Sequence, residues 1–191
     1  RFLDDQRRVG FAGDPHIECY RFLAIDILQG TIQTADYPPC PVAYPPYVGY
    51  FSARRGWWGS DDRHAYFIDQ PLGARVLNLV SFDTETGDTR VIIKETAEQG
   101  VIAPIPISQL HTLVLPLADS RELIWYSERS GWAHFYLYDL DSGQLKRPIT
   151  QGPWPVRSLL HFDAKRRELW IQTAGRTPGR NPYYCDICRV N

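Results

Sequence analysis

Apolar residues in this chain fall in short runs broken by turn residues, and the clearest run is Trp125 to Gly143, WYSERSGWAHFYLYDLDSG. Trp125 and Tyr126 lead to a break at Ser130-Gly131. Large and small residues then run from Trp132 to Asp139, and a second turn follows at Asp141-Ser142-Gly143. Aromatic and β-branched runs bounded by turn residues predict strands joined as hairpins. Gln144 to Thr150 is short enough for a third strand. A helical period does not fit, because it would bury His134 and Asp139 along with the aromatics at Trp132, Phe135, Tyr136 and Tyr138.

The same pattern recurs. Phe22-Leu23-Ala24-Ile25-Asp26 leads to Gly30, Leu79-Val80-Ser81-Phe82-Asp83 to Gly87, and Tyr136-Leu137-Tyr138-Asp139 to Gly143. The aspartates lie 57 and then 56 positions apart (83 − 26 and 139 − 83), and Asn191 stands at the aspartate position 52 further on. A period of this length, with strands and turns inside it, is what propeller blades produce. The glycine has a physical reason, since a tight hairpin needs positive φ and glycine adopts it without a Cβ clash.

The period fills in with strands at Gly49 to Arg54 (or on through Trp58), His64 to Asp69, Val76 to Phe82 and Thr89 to Lys94. Next come Thr112 to Leu117, Glu122 to Ser127, Ala133 to Leu140 and Gln144 to Thr150, then Arg157 to Phe162, Glu168 to Thr173 and Tyr183 to Val190. The predicted fold is all-β, a partial β-propeller of about three to four blades, each an antiparallel four-stranded meander. Approximate blades are 1–36, 48–98, 110–151 and 156–191. Tyr37 to Tyr47 carries five prolines, which cannot donate to a ladder, and reads as a linker at 37–47 in preference to a ligand for a proline-recognition domain. Ile102 to Ile107 reads as a second connection.

Length and charge narrow the function classes. The 191 residues make one domain or part of a larger one. With 21 basic and 22 acidic residues the net charge is −1, which argues against a nucleic-acid footprint, and Lys165-Arg166-Arg167 reads as a solvated hairpin tip. No apolar run approaches the roughly 18 residues of a membrane span, and no signal peptide is visible. The chain opens on Arg1 and stops at Asn191 in mid-strand, so we expect a piece of a longer protein.

Candidate chemistry is sparse. There is no Gly-x-Ser-x-Gly elbow, phosphate loop, dinucleotide fingerprint or His-Glu-x-x-His, so no catalytic residue, cofactor site or metal site is predicted. Cys19, Cys40, Cys185 and Cys188 read as ordinary buried thiols. On a strand, Cys185 and Cys188 would point to opposite faces and would not readily share a metal. A redox or metal module on that pair is the weaker option. His16, His64, His111, His134 and His161 show no ligand spacing, and His134 and His161 read as satisfied strand histidines. Trp57-Trp58 reads as core in preference to a stacking platform. Glu128 and Arg129, at a hairpin end, are the substrate-binding candidates on a propeller rim; the plainer reading is a solvated turn pair worth about 0–1 kcal/mol.

Several segments together resemble the dipeptidyl peptidase IV family of the prolyl oligopeptidase clan. Arg8 to Pro15 (RVGFAGDP) is similar to that family's "YPkAGdpNP", and Tyr20 to Gly30 to its "V.L.VvDl.tG". Trp125 to Asp139 resembles "SErdGw.HlYlYd", Thr150 to Val156 "T.G.WeV", and Gly175 to Tyr184 a segment ending in "RnlY.v". His16 and Gly10 depart from the family pattern. The resemblance implies an eight-bladed N-terminal propeller capping a C-terminal α/β-hydrolase domain that releases N-terminal dipeptides with proline or alanine second. It implies a serine exopeptidase as parent, acting on peptides through a Ser-Asp-His triad and paired glutamates that lie outside this chain. The family's pocket-lining arginine and aromatic would fall at Gly100 to Pro106, where Val101-Ile102-Ala103 stands, so that contact does not carry over.

On this reading the chain is a non-catalytic propeller segment that gates and shapes the substrate chamber, in a bacterial periplasmic or cytoplasmic enzyme. A self-standing propeller scaffold for protein interaction is the alternative. An open arc would also leave two apolar faces uncovered, on the order of several hundred Å² each, and self-association is expected.

Overall fold

A computed structural model describes residues 19–41, 55–71, 75–97 and 113–191. Among them there is no α-helix, only a 3-10 turn at Ala118–Ser120, and no helix is long and apolar enough to cross a membrane. Strand β1 (Cys19–Tyr20) pairs with β4 (Cys40–Pro41), and β2 (Leu23–Ile25) with β3 (Ile32–Thr34). Strands β5 (Gly56–Trp58), β6 (His64–Asp69), β7 (Val76–Asp83) and β8 (Thr89–Thr96) form a four-stranded antiparallel meander, numbered the second sheet with the two strand pairs before it counted together as the first. A third sheet repeats it with β9 (Val114–Leu117), β10 (Glu122–Ser127), β11 (His134–Asp139) and β12 (Leu145–Pro148). The last sheet holds β13 (Val156–Asp163), β14 (Glu168–Ala174) and β15 (Cys185–Val190). This is the all-β, partial-propeller architecture that the repeated apolar runs and turns predict. The first part of the Pro-rich stretch is paired at Cys40–Pro41; residues 42–54, the Ile102 to Ile107 connection, the Arg8 to Pro15 segment, His16 and His111 lie outside the described residues.

The sheets stack in chain order through three cores. Phe22, Ala24 and Ala35 from the hairpin side meet Phe67, Val80 and Phe82 of the second sheet. Tyr66, Ile68, Leu77 and Leu79 on its other face meet Leu123, Trp125, Tyr136 and Tyr138 of the third. Ile124, Tyr126, Phe135 and Leu137 then meet Leu169 and Ile171 of the last. A sheet buried on both faces needs apolar residues at successive positions, which is why β10 and β11 read as near-continuous apolar runs. Trp125, Phe135, Leu79 and Leu123 are each 0% exposed, and burying such a side chain stabilises by about 1.5–3 kcal/mol.

The recurring turn has one chemistry. The Asp26 carboxylate accepts the N–H groups of Leu28 and Gln29, Asp83 those of Glu85 and Thr86, and Asp139 that of Ser142. The backbone N–H of Gly30, Gly87 and Gly143 closes each turn on the aspartate's own carbonyl, with φ of 69°, 88° and 72°. The side chain thus satisfies N–H groups that no ladder reaches, and glycine supplies the left-handed residue.

Three sequence readings are corrected. Trp57 packs on the second core and stacks on Tyr66 with centroids 5.8 Å apart, but Trp58, pointing to the opposite face, is 60% exposed, because the two-stranded hairpin in front of it is too narrow to cover it. Of the four free thiols only Cys40 is buried. Cys19 and Cys185 are exposed and Cys188 is half-buried, with Cys185 and Cys188 on opposite faces of β15 as the strand period requires. His161 lies on β13 but is exposed, since the far face of the last sheet carries nothing over it among the described residues.

Candidate functional site

The residues with the most functional potential gather where the β10–β11 turn (residues 128–133) meets the end of β8 and the β12–β13 link. Glu95, near the end of β8, is buried and accepts three donors from the third sheet. Trp125 Nε1–H lies 2.8 Å from Oε2, the Ser127 hydroxyl 2.5 Å from Oε1, and Arg129 Nη2 3.0 Å from Oε2. Arg129 also donates from Nη1 to the Tyr138 hydroxyl and from Nε to Ser127 Oγ, and its guanidinium lies 4.6 Å from the Tyr136 ring centroid. Both charges are therefore paired and hydrogen-bonded at the seam between two sheets.

This separates the two candidates that are adjacent in sequence. Glu128 is exposed and pairs with no side chain among the described residues, while Arg129 turns back into the seam; the solvated Glu128–Arg129 turn pair does not form. The signal that would have located Arg129's partner is a lone acid at the end of β8, 34 positions upstream, which no local pattern marks.

Beside this turn lies a cavity of about 440 Å³ lined by Trp132, His134, Tyr136, Pro148, Thr150 and Pro153 among others. His134 is 1% exposed and fixes its wall. Its Nε2–H donates to the Gly152 carbonyl at 2.9 Å, and its Nδ1 accepts from the Thr150 hydroxyl at 3.0 Å, while Thr150 Oγ1 accepts the Phe135 N–H. Both ring nitrogens are thus used, as expected for a satisfied strand histidine, and neither is free to act as a base. The Trp154 ring packs edge-on to it at 5.1 Å.

A second polar group forms at the β5–β6 turn, where His64 Nδ1 lies 2.7 Å from Asp61 Oδ2. The other Asp61 oxygen accepts the N–H groups of Arg63 and His64. Burial alone would raise the Asp61 carboxyl, but the hydrogen bonds from His64 and Arg63 outweigh it and hold it below the usual range. The burial of Cys40, reinforced by Asp69, pushes its thiol up, so it stays protonated and inert. Among the described residues no three His, Cys, Asp or Glu side chains converge as a metal site. The arrangement can present walls and a shaped rim to a ligand.

Comparison with known proteins decides the family. The family model for the dipeptidyl peptidase IV (DPP IV) N-terminal region matches residues 39–187. The chain belongs to this family. Dipeptidyl peptidase 4 of Trichophyton equinum is 41% identical over 94 residues, 49% of this chain and 12% of that protein. Dipeptidyl peptidase 4 of Arthroderma otae is 40% identical over 45 residues, 24% of this chain and 6% of that protein. Among solved structures, Porphyromonas gingivalis dipeptidyl peptidase 4 superposes with a TM-score of 0.62 at 14% identity, covering 88% of this chain and 21% of that one. The chain spans only 6% to 14% of the length of such curated relatives. The likeness at 14% identity shows the fold, that of the β-propeller region.

Proposed function

We propose that this DPP IV N-terminal region forms a non-catalytic wall of the substrate chamber in a dipeptidyl-peptidase-type serine hydrolase. The catalytic α/β-hydrolase domain is the partner that this wall caps, and peptides reach it through that enzyme. The observation that carries the reading is the family match over residues 39–187 on a stack of sheets in which the buried acids Glu95 and Glu122 each pair with an arginine of the following sheet. Such a stack is stiff, because two of its seams couple packed side chains to a buried carboxylate hydrogen-bonded across them. A stiff wall restricts the chamber to small, extended peptides.

Within this wall, Glu128 is the group placed to meet a ligand, since its carboxylate is exposed on the turn that rims the 440 Å³ cavity region. Arg129 serves that rim indirectly, by fixing the turn to Glu95. The two apolar faces at the ends of the stack are the surfaces through which copies of the isolated chain self-associate.

The test uses the full-length enzyme that contains this segment. Loosening the seam with Arg129→Ala is expected to leave turnover of a dipeptidyl chromogenic substrate near the parent value while cleavage of long polypeptides rises. Glu128→Gln is expected to raise KM with little change in kcat. Unchanged size selectivity in the first variant, or a parent enzyme that already cuts large folded proteins internally, removes the gating role.

A further inference from the structure

Two buried oxygens in the seam between the first and second sheets accept nothing. Asp69, the last residue of β6, and Asn78 on β7 are cross-strand partners, 6% and 9% exposed. By the strand period they share the face of Phe67 and Val80, which meets the first sheet, and there they approach Tyr37 and Cys40. Asp69 Oδ2 has donors: the Tyr37 hydroxyl at 2.9 Å and Asn78 Nδ2 at 3.4 Å. Asp69 Oδ1 and Asn78 Oδ1 are buried and have no hydrogen-bond partner among the described residues. Buried polar atoms in native proteins nearly always find one, so this pair of acceptors points to a bound group.

That group must be small, because neither oxygen reaches solvent. It must also answer a charge. Among the described residues the Asp69 carboxylate is met by Tyr37, Asn78 and Cys40, none of them a cation. Burial first, and then the Asp69 charge, push up both the Tyr37 hydroxyl and the Cys40 thiol, which keeps them protonated and neutral. A water molecule would satisfy both acceptors and leave a buried carboxylate without a counter-charge, which is the costly arrangement. A cation does both. Carboxylate and amide oxygens are hard ligands and select hard ions over thiophilic ones. One carboxylate balances one positive charge, which favours a monovalent ion.

We infer that Asp69 Oδ1 and Asn78 Oδ1 bind a monovalent metal cation, sodium or potassium, within the seam between the first two sheets. The ion balances Asp69 and gives Asn78 its missing partner. Tyr37 carries the effect across the seam, since its ring packs edge-on to Phe67 at 5.2 Å while its hydroxyl is held by Asp69. Binding therefore ties the link between β3 and β4 to β6 and β7. Cys40, 2% exposed beside Asp69, reports when that tie opens.

The test uses the full-length enzyme that contains this segment, in sodium, potassium or choline chloride at one ionic strength; choline is too large for the site. The rate of maleimide labelling at Cys40, read by peptide mapping, is expected to fall in sodium or potassium relative to choline. The fall is about tenfold when the ion stands at ten times its dissociation constant. Asp69→Asn keeps the shape and removes the charge, and its labelling rate is expected to be the same in all three salts. Crystals of the wild-type enzyme soaked in thallium(I) acetate locate the ion without any variant, by an anomalous peak between Asp69 and Asn78. Equal wild-type rates in the three salts, an Asp69→Asn enzyme that keeps the salt dependence, or no thallium peak at that position overturns the cation site and leaves a bound water or a proton there.

Discussion

Gly143, in the β11–β12 turn, is pressed against Ile92 of the preceding sheet. A Cβ on Gly143 would fall well inside van der Waals contact of the Ile92 carbonyl oxygen, and the backbone there has φ of 72°. Gly87 holds the same relation to the β2–β3 hairpin, where a Cβ would lie 2.9 Å from the Thr34 carbonyl oxygen, whereas Gly30 has open space around it. The repeated glycine therefore serves two ends, a turn conformation and a close approach between sheets.

This separates two substitutions that look equivalent in sequence. Gly30→Ala carries only the left-handed strain, about 1–2 kcal/mol. Gly143→Ala adds a clash with backbone that cannot swing aside, and is expected to cost about 1–3 kcal/mol more. Urea unfolding of both variants checks the difference; equal losses would show that the turn conformation alone selects glycine.

The seam at Glu95 makes a second prediction. Arg129→Ala leaves the buried Glu95 carboxylate with only the Trp125 and Ser127 donors, so the loss is expected to be about 3 kcal/mol. Glu95→Gln added to that variant removes the orphaned charge while keeping an acceptor for the indole, and is expected to recover part of the loss. A double-mutant cycle measures the coupling, and additive effects would show that the pair contributes nothing beyond its separate contacts.

What could be read from sequence follows from how local each determinant is. The Asp83-to-Gly87 and Asp139-to-Gly143 turns are closed by atoms within four residues of the aspartate, so their spacing betrays them. The apolar runs of β6, β7, β10 and β11, bounded by turn residues, are also local, and they place those strands to within a residue or two. What covers a face is not local. Trp58 alternates correctly against Trp57, but its exposure depends on the width of another sheet. Arg129 looks like half of a turn pair until β8 brings Glu95 to it from 34 positions away. The candidate rim was legible as a turn, and its wiring was not.

The thiols offer a third check. Maleimide labelling followed by peptide mapping is expected to modify Cys19 and Cys185 quickly, Cys188 more slowly and Cys40 only on unfolding. Burial first, and then the Asp69 carboxylate, keep Cys40 protonated, and the thiolate is the reactive form. Rapid labelling of Cys40 in the folded chain would show that the β1–β4 pair opens readily.

Acid stability is the fourth prediction, and it centres on Glu122. This residue is 5% exposed and takes Lys146 from its own sheet and Arg167 from the next, each at 2.5 Å. Burial alone would raise its carboxyl, but the hydrogen bonds from Lys146, Ser120 and Arg167 outweigh it and bring the pKa down to about 2 from 4.5. Asp83, held mainly by its hydrogen bond to Arg63, is likewise lowered to about 2. A carboxylate whose folded pKa lies below its unfolded value stabilises fully above the unfolded value, and that stability is lost as pH falls through the folded one. The melting temperature is therefore expected to hold near neutral pH and to fall between about pH 4.5 and pH 2. Glu122→Gln removes one such group, so the variant starts lower at pH 7 and declines less steeply through that window. Thermal melts of both chains from pH 7 to pH 2 decide it, since parallel curves would mean that Glu122 binds its proton equally well folded and unfolded.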